Sequence, residues 1–291
     1  MRSKLFVPGA RPELFDKAMA GDADALSFDL EDSVPEAGKA QARGAVADFL
    51  RRPETAASPK LLIVRSNGTD SPYFAADLAA VALPAVALLN IPKVESVAQL
   101  QAAITRLEQA EAGNGVARPI GLLLNIETPK GLRVAAELAA AHPRVAGLQL
   151  GLGDLFAPHG IARDPANVHA TLFALKMAAA EAGVFACDGA FPDVTDSDGF
   201  QREAQMAQRL GFLGKSCIHP RQVGLANSAF SVAPALVEEA RRIVAAASEA
   251  RRHGHGAFLF EGRMIDLPFL RRAEAILAAR RDGPASTPAP L

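Results

Sequence analysis

An α/β fold, a TIM-type (β/α)8 barrel followed by a C-terminal helical extension that is either a packing appendage or a lid, is what this sequence predicts. Three observations predict it. Eight short apolar runs alternate with stretches of helical spacing. The runs start 21 to 39 residues apart, the size of one strand–helix unit. Several are continuously apolar, as strands covered on both faces are. A doubly wound open sheet competes, but the turn Gly151-Leu-Gly153-Asp-Leu-Phe156 lacks the third glycine of a dinucleotide fingerprint, and there is no Walker A loop.

In chain order the strands are expected at Lys4–Pro8, Ala25–Leu30, Leu61–Arg65, Val86–Ile91, Ile120–Ile126, Val145–Leu150, Val184–Cys187 and Lys215–His219. Between them Pro12–Ala20, Val97–Leu107, Gly131–Ala141 and Asn167–Ala182 carry Ala, Leu, Glu and Lys at helical spacing. After the eighth strand come a helix over Pro234–Arg252, a Gly/His break at His253–Gly256, a short extended piece, and a final helix near Pro268–Arg281. The expected organisation is a catalytic barrel over 1–230, a helical extension over 231–282 and a disordered tail over 283–291, whose sequence is rich in Pro, Ser and Ala.

Composition narrows the function classes. The 291 residues carry 31 Lys+Arg against 32 Asp+Glu, a formal net charge of −1, which argues against nucleic-acid binding because phosphate contacts need an excess of cations. Hydrophobic residues at 49% and charged residues at 22% rule out a mostly disordered chain. Cys187 and Cys217 are too far apart for a CxxC motif and sit among apolar neighbours, so they read as buried, reduced thiols of a cytoplasmic protein. The N-terminus lacks the apolar core of a signal peptide, and no run is long enough to span a membrane.

Polar residues gather where the strands end, the face at which barrels place their chemistry. Strand 2 ends in Asp29-Leu-Glu31-Asp32, strand 3 in Arg65-Ser-Asn67 and strand 4 in Pro92-Lys93-Val-Glu95. Strand 5 ends in Asn125-Ile-Glu127, and strand 6 in Gly151-Leu-Gly153-Asp154. Glu127 and Asp154, on adjacent strands, should lie side by side in the mouth. Two half-buried carboxylates repel, so one is protonated or a cation sits between them. Without a Cys/His cluster the fitting cation is hard and oxygen-seeking: Mg2+, or Mn2+ in its place. The competing arrangement pairs both carboxylates with Arg65 and Lys93 in a structural network, and spacing alone leaves both open.

Arg65 offers a guanidinium fork suited to a carboxylate or a developing enolate oxygen, unless it bridges Glu31 or Asp32. Asp32 could hold waters around a metal, or cap a helix. His142, His159 and His169 read as solvated surface residues. His219 ends strand 8 as either a substrate contact or a satisfied structural histidine. There is no Ser-His-Asp order and no cysteine placed as a nucleophile. A Schiff-base mechanism would need a desolvated lysine. Lys93 and Lys215 are available by position, but neighbouring acids would keep them charged.

The ordered motifs KLFVPGARPELFDKA, FDLEDSVP, VRSNG, IPKVES, NIETPKG, GLGDL, GKSCIHPRQV and GRMIDLP run from the first residues to about Leu270. Together they resemble the citrate lyase beta-chain-like group of the HpcH/HpaI aldolase superfamily, which includes malyl-CoA, citramalyl-CoA and citryl-CoA lyases. The resemblance implies a TIM barrel with a C-terminal extension, assembled as a homotrimer or hexamer. It makes Glu127 and Asp154 the Mg2+ ligands and Arg65 the residue that holds the oxo-acid half of the substrate. It places Phe6, Arg11 and Lys17 against the CoA portion. Asp266 becomes the acid/base group, carried on the lid and delivered to a neighbouring subunit. Read from the residues alone, Asp266 would be the N-cap of the last helix. Many relatives have a second acidic residue before the strand-6 aspartate, where this chain has Gly153.

The implied activity is Mg2+-dependent cleavage or formation of a 3-hydroxyacyl-CoA such as malyl-CoA or citramalyl-CoA, with acetyl-CoA and a 2-oxo acid as the other side of the reaction. Three alternatives stand beside it: a citrate lyase beta subunit acting on a carrier-bound thioester, a CoA-independent metal-dependent aldolase, and a non-catalytic CoA-ester-binding protein.

Overall fold

In the computed structural model, which describes residues 1–253 and 256–281, the first eight strands close into a parallel barrel in sequence order. They are β1 (Ser3–Pro8), β2 (Ala25–Asp29), β3 (Leu61–Arg65), β4 (Leu88–Pro92), β5 (Gly121–Ile126), β6 (Val145–Leu150), β7 (Phe185–Asp188) and β8 (Gly214–Cys217). The barrel seam joins β1 to β8, with Ser3 opposite Lys215. Each strand falls within two residues of its predicted start. The expected helices are also present, two of them subdivided: Pro12–Ala20 is a short 3-10 turn followed by Phe15–Ala20, and Gly131–Ala141 breaks at Val134 into Pro129–Arg133 and Ala135–Ala140.

The helix starts are written locally. Thr128 accepts a hydrogen bond from the Gly131 amide at 3.0 Å, with Pro129 in the first turn. Asp164 accepts from the amides of Ala166 and Asn167 at 2.9 Å, ahead of Pro165–Glu181. In each case an oxygen side chain satisfies amides that the helix itself leaves unpaired, and proline supplies the dihedral angle of the first residue.

The barrel interior is layered. Ala25, Ile63, Leu88 and Leu123 form an apolar cluster of their own, apart from the larger core that includes Phe28, Val64, Leu124 and the buried faces of the helices. Side chains alternate along a strand, so residues two positions further on share the inner face. Those residues are Ser27, Arg65, Asn90 and Asn125, all buried and all polar. One more step brings Asp29 and Glu127. An apolar floor toward the N-terminal ends of the strands thus gives way to polar layers toward the mouth.

Lys4 is the costly member of that interior. It is completely buried, its ammonium has no hydrogen-bond acceptor, and it lies 3.8 Å from the centre of the Phe6 ring. Burial pushes its pKa down to about 7 from 10.5, with smaller contributions from Cys187, Arg65, Asp29 and Cys217. Between those two values the unfolded chain binds a proton that the folded chain does not. Stability therefore falls as pH is lowered through that window, and the penalty is fully present below it. Lys4→Met is expected to raise stability by roughly 2–4 kcal/mol near pH 6 and to flatten this slope. Urea melts at pH 6 and pH 9 check it; an unchanged slope would refute the reading.

The chain divides into two compact units, Met1–Phe230 and a second that begins at Ser231. The second unit contains the helix Pro234–Arg252, a hairpin of β9 (Phe258–Phe260) and β10 (Arg263–Ile265), and the helix Leu267–Arg281. The expected single extended piece is thus a two-stranded hairpin, turned by Glu261 and Gly262 with φ of 47° and 77°. This unit has its own small core of Ala240, Ile243, Ile265 and Ala273. The tail expected to be disordered, 283–291, lies outside the described residues, as do the two central residues of the Gly/His break. Among the described residues no helix is long and apolar enough to cross a membrane.

Candidate active site

The polar strand ends converge on a cavity of about 390 Å³ at the barrel mouth. Phe6, Asp32, Arg65, Glu127 and Asp154 all line it. Five of the eight residues singled out in the sequence therefore share one space. Arg11 and Lys17 lie on the exposed surface near the end of β1. Arg11 is ion-paired with Glu13 just before the 3-10 turn, and Lys17 sits in Phe15–Ala20. Asp266 belongs to the second unit. It is exposed, and its backbone carbonyl accepts from Leu270 at the start of the last helix.

Glu127 is 3% exposed and follows directly on β5. One oxygen accepts from the Asn125 amide, and the other is buried with no partner. Burial, then the charge of Glu31, pushes its pKa up to about 8 from 4.5. The carboxylate is oriented by a relay across three strands. Ser216 donates to Gln149 at 3.4 Å, Gln149 to Asn125 at 2.6 Å, and Asn125 to Glu127. Gly151, which follows β6, completes the seat, since a Cβ there would collide with the Glu127 side chain.

Asp154 projects from the short helix Leu152–Phe156 and is about half exposed (45%). Lys93 contacts one of its oxygens at 3.0 Å and Glu31 at 3.1 Å. To do so Lys93 adopts φ of 54°, a left-handed conformation that a lysine rarely takes. The neighbouring acids hold its ammonium charged, which disfavours a Schiff-base mechanism through it. Lys215 is also excluded as a mouth nucleophile. It is fully buried and held by Asp188 at 2.6 Å and by Glu203, on the helix Ser197–Arg209, at 2.7 Å.

Arg65 is clamped. Its Nε and Nη2 donate to the two oxygens of Asp29 at 2.7 and 2.8 Å, and its Nη1 meets Glu31 at 2.8 Å and Asp32 at 3.0 Å. The bridge to Glu31 and Asp32 that the sequence offered as the alternative is therefore present, while the guanidinium still forms part of the cavity wall. Three carboxylates around one guanidinium raise its pKa further. His219 takes the structural role: its Nδ1 accepts from the Arg221 amide at 3.2 Å at the head of Pro220–Ala229.

The network alternative for the carboxylate pair holds for Asp154, which pairs with Lys93, and not for Glu127. A buried, unpartnered oxygen on a carboxylate whose charge is unfavourable is a fitting seat for a cation. Glu127 with Asp154 gives a two-carboxylate donor set of hard oxygens, which fits Mg2+ completed by water and substrate oxygens. Among the described residues no cluster of three or more Cys, His, Asp or Glu side chains is arranged as a metal cage.

Sequence reasoning missed three contributors: the left-handed Lys93 conformation, the Ser216–Gln149–Asn125 relay, and Arg163, which lines the cavity and is held by Glu203 at 2.7 Å. The relay had a signal. An amide side chain inside an otherwise apolar buried strand, as in Leu-Leu-Asn125-Ile, must find a partner.

Known proteins resemble this chain over nearly its whole length. The HpcH/HpaI aldolase/citrate lyase family matches residues 2–220. The L-malyl-CoA/beta-methylmalyl-CoA lyase of Cereibacter sphaeroides is 34% identical, covering 95% of this chain and 93% of its own. The citrate lyase subunit beta of Haemophilus influenzae is 36% identical, with 97% of each covered. Among solved structures, CitE of Mycobacterium tuberculosis in complex with magnesium, acetoacetate and coenzyme A superposes with a TM-score of 0.74 at 34% identity. That match covers 97% of this chain and 100% of the other.

Proposed function

The chain belongs to the HpcH/HpaI aldolase/citrate lyase family, and from that membership we propose that it is a Mg2+-dependent carbon–carbon lyase of CoA thioesters. Its substrate is a 3-hydroxyacyl-CoA such as malyl-CoA or citramalyl-CoA, which it cleaves to, or forms from, acetyl-CoA and a 2-oxo acid. The observation that carries the reading is the buried open oxygen of Glu127, set with Asp154 in the wall of one barrel-mouth cavity.

Glu127 and Asp154 are the residues that would hold Mg2+. Bound there, the cation would lower the pKa of the substrate hydroxyl and polarise the carbonyl that forms. Arg65, fixed by Asp29, Glu31 and Asp32, presents a rigid positive wall that stabilises oxyanion charge without reorganising. Phe6, in the cavity wall beside Arg65, contacts the CoA portion, and Asp32, in the same wall, orients water. Arg11 and Lys17, exposed beside the first strand–helix junction, meet the phosphates of the CoA portion. Asp266 protonates the carbon of the thioester enolate, or removes that proton in the condensing direction. The extension that carries Asp266 serves as a lid excluding water, and the assembly is a homotrimer or hexamer.

The test is direct. Purified protein with Mg2+ is incubated with malyl-, citramalyl- and citryl-CoA, and free oxo acid is followed. Turnover of at least one thioester that stops on chelation is expected. Cleavage of a free hydroxy-oxo acid with no thioester turned over would instead assign a CoA-independent aldolase.

A further inference from the structure

Lys93 is the strained residue at the barrel mouth. It follows β4 directly, between the buried Pro92 and Val94, and its φ of 54° lies in a region that lysine rarely occupies. Such a conformation persists only where the surroundings enforce it. What it secures here is the reach of the ammonium, which stands 3.1 Å from Glu31 and 3.0 Å from Asp154. The two partners differ. Glu31 is buried and also meets Arg65 at 2.8 Å, so it is a fixed anchor. Asp154 is 45% exposed, lines the cavity, and meets no other cation among the described residues. It is the partner that can leave.

Asp154 is also one of the two carboxylates assigned to Mg2+ above, so Lys93 and the metal compete for one side chain. Their charges repel as well, and both effects lower the affinity of the mouth for a cation. For an anion the sign reverses. Arg65 has its nitrogens engaged by Asp29, Glu31 and Asp32. Lys93 is 42% exposed, and its ammonium has three donors for two partners. Once Asp154 is given to a metal, a second donor comes free while Glu31 still holds the group at the mouth. Lys93 is thus the cation with capacity left for an incoming carboxylate.

We propose that Lys93 couples metal binding to substrate binding: it competes with Mg2+ for Asp154 before substrate arrives and, released from Asp154 by the metal, binds the carboxylate of the oxo acid. This rests on the metal site and the lyase function proposed above. The coupling is reciprocal, so the oxo acid tightens Mg2+ by the factor by which Mg2+ tightens the oxo acid. Removing the ammonium moves the two ligands in opposite directions. A lysine that merely held the mouth in shape would, on removal, weaken both together.

The experiment titrates Mg2+ calorimetrically into the wild type, Lys93→Gln and Lys93→Gly, alone and with saturating pyruvate or glyoxylate, and titrates each oxo acid at saturating Mg2+. Glycine accepts the left-handed backbone, so Lys93→Gly separates loss of the ammonium from a backbone fault, and thermal melts confirm folding. Without oxo acid both variants are expected to bind Mg2+ about tenfold more tightly, and with Mg2+ present to bind the oxo acid about tenfold more weakly. The gain in Mg2+ affinity that the oxo acid brings should shrink accordingly. Lys93→Arg, which keeps the charge, should stay near the wild type in both titrations. Mg2+ affinity unchanged or weakened in the variants, or oxo-acid affinity unchanged, would overturn the proposal and leave the metal site standing. No Mg2+ binding by the wild type, with or without oxo acid, would overturn the metal site and this proposal with it.

Discussion

Glu127→Gln is expected to lower kcat by about a thousandfold or more, and to do so without harming the fold. The glutamate is buried, one of its oxygens has no partner, and burial already disfavours its charge. A neutral amide of the same shape removes that unfavourable charge, so the metal-free variant should melt at or above the wild-type temperature. What disappears is the ligand. Mg2+ should raise the melting temperature of the wild type, because a ion that binds only the folded state stabilises it by mass action. The same titration should leave Glu127→Gln unmoved. If Mg2+ shifts both proteins equally, the cation binds elsewhere and the site assignment fails. A variant that melts far below the wild type would show that Glu127 is structural.

Asp266→Asn is expected to reduce kcat by roughly a hundredfold to ten-thousandfold, the range that a positioned general acid or base contributes. The asparagine keeps the size and can still receive the Leu270 amide at its backbone carbonyl, so the start of the last helix is preserved. Mg2+-dependent binding of an oxo acid should be unaffected, since that half of the site is built from barrel residues. Proton exchange gives the cleanest reading. In deuterated water with Mg2+ and an oxo acid, the wild type should wash deuterium into the methyl group of acetyl-CoA, and Asp266→Asn should not. Exchange at wild-type rates in the variant would assign the proton transfer to another group.

Much of the fold was legible because the strands announce themselves. Runs such as Leu61–Arg65 and Val145–Leu150 match the observed strands end to end, since a strand covered on both faces has no reason to carry polar residues until it reaches the mouth. The same logic exposed Arg65, Glu127 and Asp154, each the first charged group at or just beyond such a run. The rest depended on contacts across the barrel. That Arg65 is clamped by three carboxylates, while Arg163 has an unpartnered Nε, follows from strand register and loop paths that no local pattern encodes. The left-handed turn at Lys93 was hidden for the opposite reason: lysine is a poor signal for positive φ, so only tertiary pairing with Glu31 and Asp154 accounts for it. Lys4 escaped notice because its charge stands one residue into an apolar strand, where it reads as a surface residue at the strand start.

The second unit's small core bears on the role proposed for Asp266. Ile265, immediately before it, is 2% exposed and packs with Ala240, Ile243 and Ala273. That anchor sets the direction in which the next residue leaves the hairpin. The freedom that an acidic group on a loose loop would surrender at every encounter is here given up once, when the polypeptide first acquires its shape. An acid/base group in the role proposed for Asp266, mounted beside a packed hairpin, is a tooth cut into the part, ready for each cycle without being set again.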